Sequence, residues 1–336
     1  MRSSTSASRI GRATALLLAG CLLVALSVEI AARLALDRVS KIQRRTAHEY
    51  SLARTSGTLS PGRRHMLVVG NSLLDEGVQF DHMREALARE WDTRRFVVEQ
   101  TFFLDWYYGL KRLFSQGAHP DVVVVMLTTQ QWIRPEIRGD YSAYYLVNVR
   151  DLPALARELD LNATGTASLF FAGISKFWGV RAEMRNFVLG RLMPELGRLM
   201  DFSSVIDPRP LIDEEVERDA VGRIARLKAL VDAHGGRLLV LLPPVLDAND
   251  GSEGFVRAAR AVGVATLRPV TSGTFGPQLY RDAGFHLNAV GAAAFTERLI
   301  AALQTELPSV LSRNVKVDAA VRAPIGQRPF SRPSGP

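Results

Sequence analysis

The sequence predicts an α/β protein: a doubly wound, mainly parallel sheet covered by helices on both faces, a three-layer α/β/α sandwich. Three observations predict it. Short apolar runs of strand length stop at glycine or proline, as in residues 65–70 (HMLVVG) and 237–242 (RLLVLL, then Pro243-Pro244), and residues 121–127 (DVVVVML) form a continuous β-branched run suited to the buried centre of a parallel sheet. Segments with apolar residues at helical spacing alternate with these runs. One stretch, residues 140–212, breaks the alternation with helical, Phe-, Met- and Arg-rich sequence and no strand pattern.

Taken in order, residues 65–70 are the first strand, 79–91 a helix, 95–100 a second strand, and 106–114 a helix leading to the strand at 121–127. Residues 140–212 then read as a helical insertion. A charged helix over 213–234 stops at Gly235-Gly236, where glycine favours a helix end. The strand at 237–242, a helix at 255–262, a last strand at 263–267 and a last helix at 289–307 complete the domain. Its two parts are thus 65–139 and 213–310, separated by the insertion. Residues 311–336 are rich in Pro, Arg and Ser and predict a disordered tail.

The N-terminal third of the first hundred residues has a different character. Residues 1–12 carry Arg2, Arg9 and Arg12 and no acid, and residues 13–28 carry no charge. A helix over 13–36 would be about 36 Å long, enough to cross a bilayer. Glu29 and Arg33 lie near its far end, four apart on one face. The basic leader favours an N-terminus in the cytoplasm and a domain outside it, on a single membrane pass. Two alternatives share these features: a cleaved signal with small residues at 25–27, giving a secreted protein, or a lipid anchor at Cys21, where Leu18-Ala19-Gly20-Cys21 is similar to a lipobox. Residues 37–64 read as a juxtamembrane helix and linker closing at Ser60-Pro61-Gly62.

Composition narrows the chemistry. Of 336 residues, 42 are Lys or Arg and 34 Asp or Glu, a formal charge of +8, but no dense basic run marks a nucleic-acid surface. Mean hydropathy is +0.04, a blend of one membrane segment and an ordinary domain. The single cysteine excludes an intrachain disulfide and a cysteine zinc cage. His and acidic residues show no metal-ligand spacing. Neither a Gly-x-x-x-x-Gly-Lys-Ser/Thr loop nor a strand-linked Gly-x-Gly-x-x-Gly occurs, so no cofactor is expected.

Two segments carry candidate chemistry. Gly70-Asn71-Ser72-Leu73 follows the first strand, and ligands of open α/β sheets bind beyond the carboxyl ends of strands. Ser72 stands where a nucleophile would be useful; equally, Asn71-Ser72 could turn the chain and cap a helix. Among six histidines, His286 alone combines a place after the last strand with a nearby acid, Asp282, able to fix its tautomer.

Together these segments resemble the SGNH (GDSL-type) hydrolases. Gly70-Asn71-Ser72-Leu73 is similar to that family's first block, with Asn71 in place of the usual Asp, and Asp282…His286-Leu287-Asn288…Gly291 is similar to its last. The resemblance spans about residues 65–305, the insertion aside. It implies an SGNH/flavodoxin-like sheet, Ser72 as nucleophile, His286 as base and Asp282 as its partner. The family's acid stands three residues before the histidine; here Ala283 has that place, and Gly284 could absorb the extra residue as a bulge. The family's second block implies Gly109 as an oxyanion-hole glycine. Its third block supplies an Asn absent here, leaving Gln130 or Gln131 as amide donors.

The blocks look most like membrane-anchored members in bacterial envelopes. That implies acylated envelope or exopolysaccharide glycans as substrates, by hydrolysis or by transfer of an acyl group, with polysaccharide-assembly proteins as partners. The alternative is an inactive scaffold that binds glycan or a partner membrane protein. The insertion's Phe170-Phe171, Phe177-Trp178 and residues 181–200 read either as a subdomain packed on the core or as a lid or lipid-facing surface.

Overall fold

The computed structural model describes residues 4–58, 62–193 and 211–312. Five parallel strands form one sheet: β1 (Arg64–Gly70), β2 (Trp91–Val97), β3 (Val122–Met126), β4 (Arg237–Leu241) and β5 (Ala265–Leu267). Their order is β2-β1-β3-β4-β5. The chain therefore winds outward in both directions from β1 and β3, which opens a crevice beyond their carboxyl ends, where such sheets bind ligands.

The pleat divides the core in two. Leu67, Val69, Val123, Val125, Leu238 and Val240 face one side, and Met66, Val68, Val122, Val124, Leu239 and Leu241 the other. All five residues of β3 are buried, as its β-branched run requires. The first side is covered by α5 (Phe103–Ser115), by α12 (Asp213–Ala233) and by α13 (Ser252–Ala261). The second is covered by α3 (Ser72–Gly77), α4 (Phe80–Leu87) and α14 (Ala289–Ser312). The sandwich is the predicted three-layer α/β/α.

Several boundaries move. β2 begins at Trp91 and leaves the sheet at Val97, four residues ahead of the expected start and three short of the expected end. Its register, Arg64↔Trp91 to Gly70↔Val97, matches β1 residue for residue, and Val98 already turns away with its N–H on the Gly70 carbonyl at 3.1 Å. The helix expected at 79–91 accordingly stops at Leu87. β5 is shorter than 263–267, and α14 runs beyond 307 to Ser312. The linker close at residues 60–61 and the tail from residue 313 lie outside the described residues.

Residues 37–64 hold more than a linker. Helix α1 (Ser4–Val39) is followed by α2 (Lys41–Arg54), which packs against β2. Glu49 of α2 is buried; its carboxylate accepts the Val97 N–H at 2.8 Å and pairs with Arg95 at 2.8 Å. Helix α2 thus covers an edge strand that would otherwise offer open backbone groups. Arg45, also on α2, pairs with Asp75 of α3 and with Glu99.

The described part of the insertion is helical: α7 (Asp140–Tyr145), α8 (Leu152–Glu158), α9 (Ala163–Ile174), α10 (Lys176–Gly179) and α11 (Arg181–Leu192), after a short α6 (Thr129–Ile133). Buried side chains such as Tyr141, Leu152, Leu155 and Ala172 join it to the first core. Asp105, fully buried in α5, fastens its entry: the carboxylate accepts the Phe102 N–H at 2.7 Å and the Arg138 N–H at 3.2 Å. Burial pushes its pKa up to about 7, against the lowering pull of those hydrogen bonds. Between its ordinary value and pH 7 the folded chain keeps a proton that the unfolded chain has lost, so this group's contribution to stability falls as pH rises. Urea unfolding at pH 5, 6 and 7 should show the wild type losing stability relative to Asp105→Asn across that window.

Candidate active site

The serine end of the site is built by β1. Gly70 is needed because a Cβ there would lie 2.8 Å from the Met126 carbonyl and 3.1 Å from Leu74 Cβ. Asn71 is wholly buried: its Oδ1 accepts the Leu73 N–H and its Nδ2 donates to the Thr101 carbonyl, both at 3.1 Å. It is the N-cap of α3, so Ser72 is the first helical residue. A first-turn N–H has no acceptor within its own helix, so the Ser72 N–H is not tied up by α3 itself.

The histidine end is a tight loop closed by an isolated antiparallel bridge between Tyr280 and Leu287. Gly284 adopts φ +99°, and a Cβ there would meet Leu246 Cβ at 2.3 Å. This glycine is the bulge that lets an acid four residues upstream reach the histidine. Asp282 Oδ1 accepts the N–H groups of Gly284 (3.2 Å), Phe285 (2.8 Å) and His286 (3.0 Å). Its Oδ2 lies 2.5 Å from His286 Nδ1, and His286 Nε2 lies 2.9 Å from Ser72 Oγ. Burial raises the Asp282 pKa, but the hydrogen bonds from His286 and Phe285 outweigh it and hold the carboxyl below its ordinary range. An ionised carboxylate only accepts, so Nδ1 carries the proton and Nε2 faces Ser72 with its lone pair. Asn288 then starts α14, its Oδ1 accepting the N–H groups of Val290 and Gly291 at 3.0 Å.

The structure thus joins Ser72, His286 and Asp282 across more than two hundred residues. The remaining expected site residues fare differently. Gly109 lies inside α5, about 9 Å along the helix from Phe103 at 1.5 Å per residue, and its Cα faces Leu146 of the insertion. An interior helical N–H is held by the carbonyl four residues back, so Gly109 serves close packing and offers no oxyanion donor. Asn71 is a buried cap and presents no group to a substrate. Gln131 folds back on α6, its Oε1 accepting the Thr128 N–H at 3.0 Å, which makes it a cap too. Gln130 lies on the first turn of α6, next along the sheet from the serine.

Two features escaped the sequence reading. Glu76, one turn after Ser72, pairs with Arg281 at 2.8 Å and so ties the serine helix to the histidine loop. Burial raises its pKa, with the charges of His286 and Arg281 opposing. The four-residue spacing from Ser72 was the available signal. Gln100, in the loop over Asn71, takes φ +56°, a conformation uncommon for a residue with a Cβ.

The cap predicts a stability effect. Asn71→Ala loses both side-chain bonds and leaves the Thr101 carbonyl buried without its donor, and should cost about 1–3 kcal/mol. Thermal unfolding followed by circular dichroism measures it; an unchanged Tm would show the cap to be dispensable.

No protein-family model matches the chain, and no curated protein sequence does. Solved structures similar to it include TesA, at 13% identity over 72% of this chain and 99% of that one, TM-score 0.37. LAE5, an α/β hydrolase enzyme from the metagenome of Lake Arreo, Spain, has 13% identity over 73% of this chain and 97% of its own, TM-score 0.38. A catalytic mutant of Axe2, an acetylxylan esterase from Geobacillus stearothermophilus, has 9% identity over 73% and 95%, TM-score 0.39. At these values it is the chain's own geometry that carries the functional reading.

Proposed function

We propose that this chain is a serine-dependent acyl-ester hydrolase or O-acyltransferase of SGNH type. The observation that carries this reading is the unbroken series Ser72 Oγ–His286 Nε2 at 2.9 Å and His286 Nδ1–Asp282 Oδ2 at 2.5 Å, at the crevice end of the sheet. Ser72 Oγ attacks the ester carbonyl carbon while its proton passes to His286 Nε2. Asp282 stabilises the resulting imidazolium and keeps the ring in line. The Ser72 N–H donates to the oxyanion. The intermediate collapses as His286 protonates the leaving alkoxide, leaving an acyl-serine. An incoming hydroxyl then gives its proton to His286 and takes the acyl group, and His286 returns that proton to the departing Ser72 Oγ: water completes a hydrolysis, a sugar hydroxyl a transfer.

Helix α1 supports a place of action at a membrane. Residues Ala13–Leu34 form a helix long and apolar enough to cross a membrane. With the Arg-bearing leader inside, the domain stands outside the cytoplasm, and acylated envelope or exopolysaccharide glycans are the esters within reach. A fluorophosphonate that esterifies activated serines tests the chemistry: mass spectrometry of the full chain should find the label on Ser72. Acetate release from acetylated polysaccharide, with and without an added oligosaccharide acceptor, separates hydrolysis from transfer. An unlabelled Ser72 together with no acetate release would leave the scaffold reading in its place.

A further inference from the structure

The helical insertion grips the membrane-spanning helix by an acid that lies within the apolar stretch. Glu29 of α1 accepts from Ser175 Oγ at 2.7 Å, and from the Lys176 N–H at 2.9 Å and Phe177 N–H at 3.1 Å at the start of α10. Arg33, one turn on, donates to Glu29 at 2.6 Å and to the Ile174 carbonyl at 3.3 Å. The carboxylate is therefore both paired and hydrogen-bonded, as a charge removed from water requires.

The level of this contact can be read along α1. Arg12 sets the inner edge of the apolar run, and Glu29 stands about 24 Å above Ala13 at 1.5 Å per residue, inside a hydrocarbon layer about 30 Å thick. Apolar side chains that face outward from the protein continue past it: Ile30 is 50% exposed and Leu34 60%. Residues 174–177 consequently sit no higher than lipid-facing Leu34. What the insertion shows at this level is apolar. Helix α9 carries no charged residue, and Phe171 (54% exposed) and Ile174 (56%) lie three apart on one of its faces. Behind them Trp178 packs its ring against Phe171 at 5.7 Å, with the Arg181 guanidinium over it at 4.3 Å, an aromatic and a cation placed as at a headgroup layer.

We infer that the α9–α10 edge of the insertion is seated in the bilayer, with Phe171 and Ile174 at the boundary between headgroups and acyl chains. The occupant of this exposed apolar face is lipid, because the face is continuous with a helix that lipid already surrounds. The domain is then held at two points, a span and a surface contact locked together by Glu29, so it does not swing freely on a tether. This rests on the proposed reading of α1 as a membrane span.

Single cysteines placed in a Cys21→Ala background of the full chain, reconstituted into phosphatidylglycerol–phosphatidylethanolamine vesicles and spin-labelled, test it. Leu22→Cys reports on the span itself, Phe171→Cys and Ile174→Cys on the proposed contact, and Glu297→Cys, on the opposite layer of the domain, on open water. Labels at 171 and 174 should show an oxygen-to-nickel-chelate accessibility ratio severalfold above that at 297, corresponding to a depth of about 5–10 Å. Ratios at 171 and 174 equal to that at 297, with 22 deep in lipid, would overturn the seating while leaving the span intact. A water-exposed label at 22 would overturn the span. Spin–spin broadening at 171 or 174 would assign the face to a second copy of the chain and also overturn the proposal.

Discussion

Replacing Ser72 by alanine is expected to lower kcat on a chromogenic acetyl ester by about 10⁴- to 10⁶-fold with KM little changed. The argument is chemical before it is structural. Among the described residues, Ser72 Oγ is the one hydroxyl at hydrogen-bond distance from His286 Nε2, so its loss removes the proton that nitrogen is placed to take. No thiol can act in its stead, because the one cysteine, Cys21, lies within the apolar helix Ala13–Leu34. Ser72 begins α3 but does not cap it; that task belongs to Asn71, so the alanine variant should keep its Tm. His286→Ala should match the loss, and the double variant should be no worse than either single one, since nucleophile and base act as one unit. Stopped-flow or steady-state release of the chromophore measures all three. A Ser72→Ala enzyme within tenfold of wild type would exclude Ser72 as the nucleophile.

How much of this was legible in the sequence depends on where the information lies. β3 could be read directly because all five of its residues are buried and apolar. β2 could not be bounded: WDTRRFV is half polar, since it is an edge strand whose Arg94 and Arg95 reach α2 rather than the core. The packing of α2 was hidden for the same reason. Its buried residues include Gln43, Thr46 and Glu49, polar groups that look solvated until their partners are known. In the site, Ser72, Asp282 and His286 were readable because each stands in a short segment whose local shape is fixed nearby, by Gly70 and Asn71 or by Gly284. The loop packed on Asn71 was not: it turns at Gln100, a residue type that gives no sign of its positive φ. Gly109 was singled out by the resemblance to the family's second block, yet it lies inside α5 packed against Leu146 of the insertion.

Asp282→Asn should lower kcat by about 10³- to 10⁴-fold while leaving KM and Tm near wild type. Asp282 has two separable tasks. Oδ1 gathers three backbone N–H groups and shapes the loop, whereas Oδ2 orients the histidine ring. An asparagine can keep the first task with its carbonyl oxygen. It then turns an NH₂ toward His286 Nδ1, which must become the acceptor. The ring's proton moves to Nε2, pointing at Ser72, and the site holds no base for the serine proton. The carboxylate's charge, which stabilises the imidazolium during the reaction, is lost as well. Asp282→Ala separates the tasks from the other direction: it loses the loop's acceptor too, so its Tm should fall where that of Asp282→Asn does not. If both variants lost stability and activity in parallel, Asp282 would be only a loop fastener. If Asp282→Asn kept its rate, the imidazole would be oriented by another group, and Glu76, whose charge already acts on His286, would be the residue to change next.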